Sequence, residues 1–396
     1  MTVDELRSAL ETYLCPLLAA QVLQGTVPCA ASAARTASLE PCKTAVKAAP
    51  ADIVRLVLYR KPGFSPEELR VTKDFVDELF ELHHSTQPTY REELFKFLPS
   101  RAIARHLGGS DIVSCILQQF ETWSARTYEG GAITSSIGID PDLAGTGPRL
   151  SDIFEHDFSA VLTNGFDTLL VASNDGRISG SGHLASTPLG LNYAPYRLNA
   201  VANWTSQSRM ALVLNRLGEQ LVFLDKRLVF AKRRGEWRYY THEMYIRQMQ
   251  PPKNRILREA IYQSALDISF ARTGGCIIIV RSGAINDLED YVANSDRLDS
   301  HSPTKKAETL STLITQPFER LDRRLRQEIL ALDGATVLDH LGKVIAAGAI
   351  VSVPSGSEGG GRTAAAKKGS ELGLGIKISE DGGISAYQGG NRVFMA

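Results

Sequence analysis

Apolar residues recur at helical spacing early in the chain and as short strand-like runs after about residue 150, and both patterns return together beyond residue 253. Leu6, Leu10, Leu14, Leu17 and Leu18 share one face of an N-terminal helix, opened by Thr2 and Glu5 as a capping box and ended by Gly25. Pro16 predicts a kink inside it. Residues 26–50, rich in Ala, Ser, Thr and Pro and without an apolar period, read as a flexible connector. Ser65-Pro66-Glu67-Glu68 then caps and launches a helix through Phe75, Leu79 and Leu82. Another helix follows Ser110, with Ile112, Val113, Ile116, Leu117, Phe120 and Trp123 on one face.

Residues 138–149 mix Gly, Pro and Asp without period and predict a loop or domain boundary. Strands follow. Thr168–Ser173, Arg209–Asn215, Glu219–Leu224 and Leu228–Ala231 are short apolar or β-branched runs separated by turns such as Asn174-Asp175-Gly176, and predict an antiparallel meander with one buried face. Pro251-Pro252 marks a linker. Beyond it, residues 256–270 have helical spacing, and Gly274-Gly275 introduces Cys276–Val280, a continuous apolar run of the kind found in a central buried strand. A helix after Pro317, through Phe318, Leu321, Leu325 and Ile329, leads to Asp333-Gly334-Ala335. Strands at residues 335–339 and 344–351 with a turn at Leu341-Gly342, then strands at 374–379 and 384–387, complete a sheet. The predicted class is mixed α/β (α+β), with a helical N-terminal region over 1–137, a β-rich domain over 150–250, and a C-terminal domain over 253–396 in which helices flank a mixed sheet.

A chain of 396 residues exceeds the size at which one core usually keeps growing, in keeping with several domains. Lys plus Arg and Asp plus Glu number 44 each, so net charge gives no general attraction to nucleic acid or anionic lipid. Five cysteines at 15, 29, 42, 115 and 276 lack metal-type spacing and read as reduced thiols. With no basic leader and no membrane-length apolar run, the expected place is the cytoplasm.

Several local signals carry a functional and a plain reading side by side. Lys232-Arg233-Arg234 and Arg238 interleave with Trp237, Tyr239 and Tyr240, which suits a nucleotide or single-stranded nucleic acid, or an edge strand whose charges discourage pairing. Gly180-Ser181-Gly182 imitates a dinucleotide fingerprint, but Pro188 and Gly190 prevent the helix it needs, and a turn between strands fits better. His83-His84 has no second ligand pair and reads as a surface helix end. Asp287, Glu289 and Asp290 suit either a functional loop or an acidic helix start.

The richest constellation is C-terminal. Gly334 permits close approach of a ligand, and the Gly-rich run from Pro354 through Gly359, Gly360 and Gly361 opens at Arg362-Thr363 into a helix, a place where free amides and the helix dipole suit an anion. From Ile256 to the C-terminus, the order of elements, with Asp333-Gly334-Ala335 followed by Arg362-Thr363-Ala364 and by Ser379 at a strand end, resembles the diadenylate cyclase domain of the DNA-integrity scanning protein and its relatives. In that family two domains meet face to face, each binding one ATP, and form cyclic di-AMP. The resemblance implies that Asp333 is the metal-linked carboxylate (Mg2+ or Mn2+) that helps activate a ribose hydroxyl. It also implies that Arg362 is catalytic and, with Thr363, holds phosphate, that Gly334, Ala335, Gly359, Gly360 and Gly361 line the nucleotide, and that Ser379 lies near the base. ATP or a cyclic dinucleotide is the implied ligand, and a homo-oligomer with facing domains the implied assembly; neither a membrane nor a nucleic acid is indicated. A sensory or regulatory role for residues 151–240 follows by analogy with regulated cyclases.

The phosphate loop departs from the family's Arg-His-Arg, since Gly360 and Gly361 precede Arg362. A hydrogen bond to a charged group contributes roughly 1.5–3 kcal/mol, so two lost bonds predict a rate lower by about a hundred- to ten-thousandfold. Lys367 or Lys368 would offset the loss if their helix turned them to the site. Two functions therefore stand together: a cyclase governed by the upstream region, and a cyclase-fold sensor that binds ATP or a cyclic dinucleotide without turnover.

Overall fold

The computed structural model describes residues 1–23, 27–28, 36–40, 43–47, 54–60, 63–108, 111–184, 192–353 and 360–396. The chain forms two compact units, Met1–Pro188 with Arg197–Thr241, and Leu189–Tyr196 with His242–Ala396.

The first unit builds one core from its helices and a seven-stranded sheet. Helix α1 (Val3–Ala9) starts on the Thr2–Glu5 capping box. The backbone then widens over Leu10–Leu14 ahead of Pro16, which has no N–H to give. The helix ends at Leu18, short of Gly25, because Ala19 turns left-handed (φ 50°) and Gln21–Val22 pairs as a strand with Leu58–Tyr59. Of the stretch 26–50, Val27–Pro28, Thr36–Glu40 and Lys43–Lys47 join that same small sheet through Val54–Tyr59, and the rest, with Cys29 and Cys42, lies outside the described residues.

Helices α2 (Pro66–Ser85), α3 (Leu98–His106) and α4 (Asp111–Ser124) follow; Ser110 lies outside the described residues. Glu68 of the Ser65 capping box is buried and accepts from Arg60 Nη2 at 2.8 Å and from Thr241 Oγ1 at 2.7 Å.

The strands β1 (Ser135–Ile139), β2 (Thr168–Ala172), β3 (Ile178–His183), β4 (Met210–Leu214), β5 (Gln220–Leu224), β6 (Arg227–Arg233) and β7 (Glu236–Tyr239) lie in the order β3-β2-β1-β4-β5-β6-β7. The antiparallel meander holds for β4 to β7 only. Strand β1 enters between β2 and β4, parallel to β2, so the predicted loop at 138–149 starts later, at Asp140. All five β1 residues are buried, and a strand covered on both faces shows no alternation to read. Gly180 and Gly182 lie within strand β3 rather than a turn.

In the second unit, α5 (Arg255–Ala271) is capped by Asn254, whose Oδ1 accepts from the Ile256 amide at 3.0 Å. It packs Leu257, Ala260, Ile261, Ala265 and Ile268 into the interior. Buried Asp267 is gripped by Arg323 through two 2.7 Å bonds and accepts from the Tyr196 amide at 2.8 Å, which ties residues 192–196 to this unit.

Strands β8 (Gly275–Val280), β9 (Ala335–Asp339), β10 (Val344–Ala349), β11 (Gly373–Ile378), β12 (Ile384–Gln388) and β13 (Asn391–Met395) form a mixed sheet in the order β10-β9-β8-β11-β12-β13. Only the central β8–β9 pair is parallel. Helices α6 (Lys305–Leu313), α7 (Arg323–Leu330) and α8 (Gly361–Gly369) belong to the same unit, as does the short helix His242–Gln248 ahead of α5. The continuous helix predicted from Phe318 is instead a single turn over Phe318–Arg320 followed by α7, because the Asp322 carboxylate caps the Arg324 amide at 2.8 Å and starts the helix afresh. The fold class is the mixed α/β one expected.

Candidate functional site at one end of the C-terminal sheet

The register of the sheet decides which residues meet. Gly275 pairs with Ile378, and Ile277 pairs with Thr336, so the starts of β8 and β9 and the end of β11 lie side by side. Neighbouring strands stand about 4.8 Å apart, which puts Gly334 and Ile378 roughly 10 Å from each other across Gly275. Ala335 faces Ala349, so the end of β10 reaches the same edge.

Gly334 has φ 104°, and a side chain there would meet the Ala349 carbonyl oxygen at 2.6 Å and the Gly348 carbonyl carbon at 2.6 Å. Only glycine lets β10 close against this turn. Asp333, just before it, is exposed, whereas Ala335 is buried.

Helix α8 brings Arg362 to the edge. Ala364, Ala366 and Gly369 are buried, and Gly375 of β11 lies beneath the Ala366 carbonyl, so small side chains let the helix settle onto the sheet. At its start Gly360 takes φ 77°, and no side chain caps the first turn. The Arg362 guanidinium lies over Gly274 (φ 69°), where a Cβ would fall 2.5 Å from Nη1. Its carboxylate partner among the described residues is Glu380, 2.7 Å away and itself 69% exposed. Burial pushes the Cys276 thiol up to about 12, while the charge of Arg362 pulls the other way. The cation is thus felt at the second residue of β8.

Glu380 is fixed by its turn. The Ser379 amide donates to the Gly383 carbonyl and the Gly382 amide to the Ser379 carbonyl, both at 2.9 Å. Ser269 donates to the Gly382 carbonyl and Arg272 to the Asp381 carbonyl, so the end of α5 clamps the turn.

Of the sequence-derived site residues, Asp333, Gly334, Ala335, Gly360, Gly361, Arg362 and Ser379 lie at this end of the sheet. Thr363 is nearby but buried beneath the helix start, and Gly359 lies outside the described residues. Lys368 is engaged away from the site. Lys367 and Lys368 occupy the last turn of α8, where Lys368 pairs with Glu371 at 2.7 Å and rests 4.7 Å over the Tyr291 ring. Asp287, Glu289 and Asp290 follow the opposite end of β8.

Sequence reasoning missed the Arg362–Glu380 pair and the seat that Gly274 makes for it. The Gly274-Gly275 doublet before an apolar run was the available sign, since two successive glycines ahead of a buried strand are wanted where other groups come close.

The other candidates resolve structurally. Arg233 donates to Glu219 at 2.9 Å, Lys232 pairs with Glu121, and Trp237 and Tyr240 are buried, so the basic-aromatic run is the edge hairpin β6–β7. His83 is buried rather than exposed, with burial lowering its pKa and the Glu5 carboxylate 3.6 Å away.

Among the described residues no group of three or more His, Cys, Asp or Glu is placed to hold a metal ion. Among the described residues no helix is long and apolar enough to cross a membrane. The chain matches no protein family model, and no curated protein matches it. Among solved structures it is similar to DacA from Staphylococcus aureus, crystallised as a cysteine double mutant, at 17% identity and a TM-score of 0.25, over 35% of this chain and 87% of that one. At that score the likeness carries no functional argument.

Proposed function

We propose that the C-terminal unit binds the phosphates of ATP or of a cyclic adenine dinucleotide at the edge where Arg362 sits over Gly274, one strand away from Asp333-Gly334. The observation that supports this reading most is that seat. A guanidinium, an open helix start and two glycines with left-handed backbone meet where a phosphate chain can approach main-chain amides. The motif order Asp-Gly-Ala, Arg-Thr-Ala and strand-end Ser, shared with diadenylate cyclases, supplies the adenine nucleotide as ligand.

A divalent ion fits this donor set in one way. Asp333 offers a single exposed carboxylate, which suits Mg2+ or Mn2+ shared with nucleotide phosphates and water rather than held by a protein cage. When bound, the ion would screen phosphate charge. The chain's own part is for Arg362 to orient the phosphates and for Asp333 to face the ribose side.

Condensation of two ATP molecules requires a second copy of the domain facing the first. Gly360 and Gly361 favour binding over turnover, since they bring amides but no side-chain charge. The protein incubated with ATP and Mg2+ or Mn2+, at concentrations that let copies meet, should show an ATP-dependent rise in melting temperature. Cyclic di-AMP detected by mass spectrometry would assign the enzyme reading, and binding without product the sensor reading. No thermal shift with ATP or cyclic di-AMP sinks both.

A further inference from the structure

Helix α6, which the sequence did not announce, brings another cation to the same edge. Its first turn is fixed by Thr304, whose hydroxyl accepts from the Ala307 amide at 3.2 Å. Lys306 follows directly and donates to the Gly348 carbonyl. That carbonyl stands against the site's own turn: a Cβ on Gly334 would lie 2.8 Å from the Gly348 oxygen. Conversely, a Cβ on Gly348, itself at φ 62°, would lie 3.0 Å from the Asp333 carbonyl oxygen. The ammonium is therefore one carbonyl group away from the Asp333-Gly334 peptide.

Its hydrogen-bonding capacity is not used up where it stands. An ammonium has three donors. One goes to Gly348, and Asp296 forms an ion pair with it at 3.8 Å, longer than a hydrogen bond, so two donors stay open to a ligand. The Lys306 side chain keeps 40% of its surface exposed, so an incoming anion can reach it.

We propose that Lys306 is a phosphate-binding residue of the nucleotide site, supplying from α6 the second cation that Gly360 and Gly361 do not. The inference rests on the nucleotide-binding reading above. With Arg362 over the start of β8 and Lys306 at the end of β10, the two cations flank Asp333-Gly334 from opposite sides, and a polyphosphate bridges them. A charge-assisted hydrogen bond of this kind corresponds to roughly a tenfold to hundredfold change in affinity.

The experiment compares the full chain with Lys306→Met, Lys306→Arg and Arg362→Met, using MgATP and adenosine as probes in calorimetric titrations. Lys306→Met should bind MgATP roughly tenfold to a hundredfold more weakly, bind adenosine as the unaltered protein does, and melt at nearly the same temperature without ligand. Lys306→Arg should restore most of the MgATP affinity. MgATP affinity within twofold of the unaltered protein in Lys306→Met overturns the proposal, as does an equal loss for adenosine and MgATP, which marks a structural role. If the unaltered protein binds neither probe, the nucleotide reading fails and the proposal with it; if Arg362→Met loses MgATP while Lys306→Met does not, the proposal alone fails.

Discussion

Glu380 holds the Arg362 guanidinium that the proposed phosphate site relies on, so under that proposal neutralising it should tighten binding. Glu380→Gln keeps the shape of the side chain and removes its charge. The pair itself contributes little to stability, because Glu380 is 69% and Arg362 30% exposed, and such ion pairs contribute about 0–1 kcal/mol. The effect on a ligand is of another kind. At the 2.7 Å contact the carboxylate competes for Arg362 and repels an incoming phosphate. For unit charges about 4 Å apart, the interaction ranges from roughly 1 kcal/mol in water to about 4 kcal/mol near a protein surface, and the exposure of Glu380 selects the lower end. About 1 kcal/mol is near fivefold in affinity. Isothermal titration with MgATP should therefore give a dissociation constant about fivefold lower for Glu380→Gln, with the gain shrinking as salt rises to 1 M. The melting temperature without ligand should barely move. If Glu380→Gln instead weakens MgATP binding tenfold or more, Glu380 belongs to the ligand's own contacts and the competition argument is wrong.

Three further outcomes follow from the packing. Cys15 and Cys276 are buried, their thiols pushed up to about 12 by desolvation, so iodoacetamide at pH 8 should leave both unmodified in native protein and label both in urea; native labelling of Cys276 would contradict its place in β8. Asp267→Asn leaves Arg323 without its buried counter-charge, a loss of about 3–5 kcal/mol, and hydrogen exchange along α5 should accelerate accordingly; unchanged protection would mean that the pair does not hold residues 192–196 to the helix. Burial raises the Glu68 carboxyl, but the Arg60 hydrogen bond and charge, with the Ser65 amide and Thr241, outweigh it and hold the group below the ordinary carboxylate range. Its stabilising contribution is then full above the unfolded pKa and is lost as pH falls through the lower folded one. Acid titrations should show that loss in the unaltered protein and a flatter profile in Glu68→Gln, and equal slopes would refute the assignment.

The legible parts of the sequence were those with a strong local cause. The capping box at Thr2, the N-cap at Ser65, the apolar face of α4 and the unbroken apolar run of β8 each announce themselves within one element. The illegible parts depend on distant partners. Strand β1 carries no alternation because both of its faces are covered, and only the finished sheet reveals it. Helix α6 has a weak apolar stripe, with Ala307 and Leu310 its buried residues, so its period is easily missed. At the site, Asp333-Gly334-Ala335 and Arg362-Thr363 were readable as motifs. That Glu380 stands beside Arg362 was not, since it follows from the register of β8 with β11 and from the clamp of Ser269 and Arg272 on the turn.

The most direct test of the central claim is calorimetric titration of MgATP into the full chain and into Arg362→Met. Saturable binding in the first, weakened about tenfold or more in the second with the ligand-free melting temperature preserved, is the predicted result. Superimposable isotherms, or no heat of binding in either protein, would contradict a nucleotide site built on Arg362.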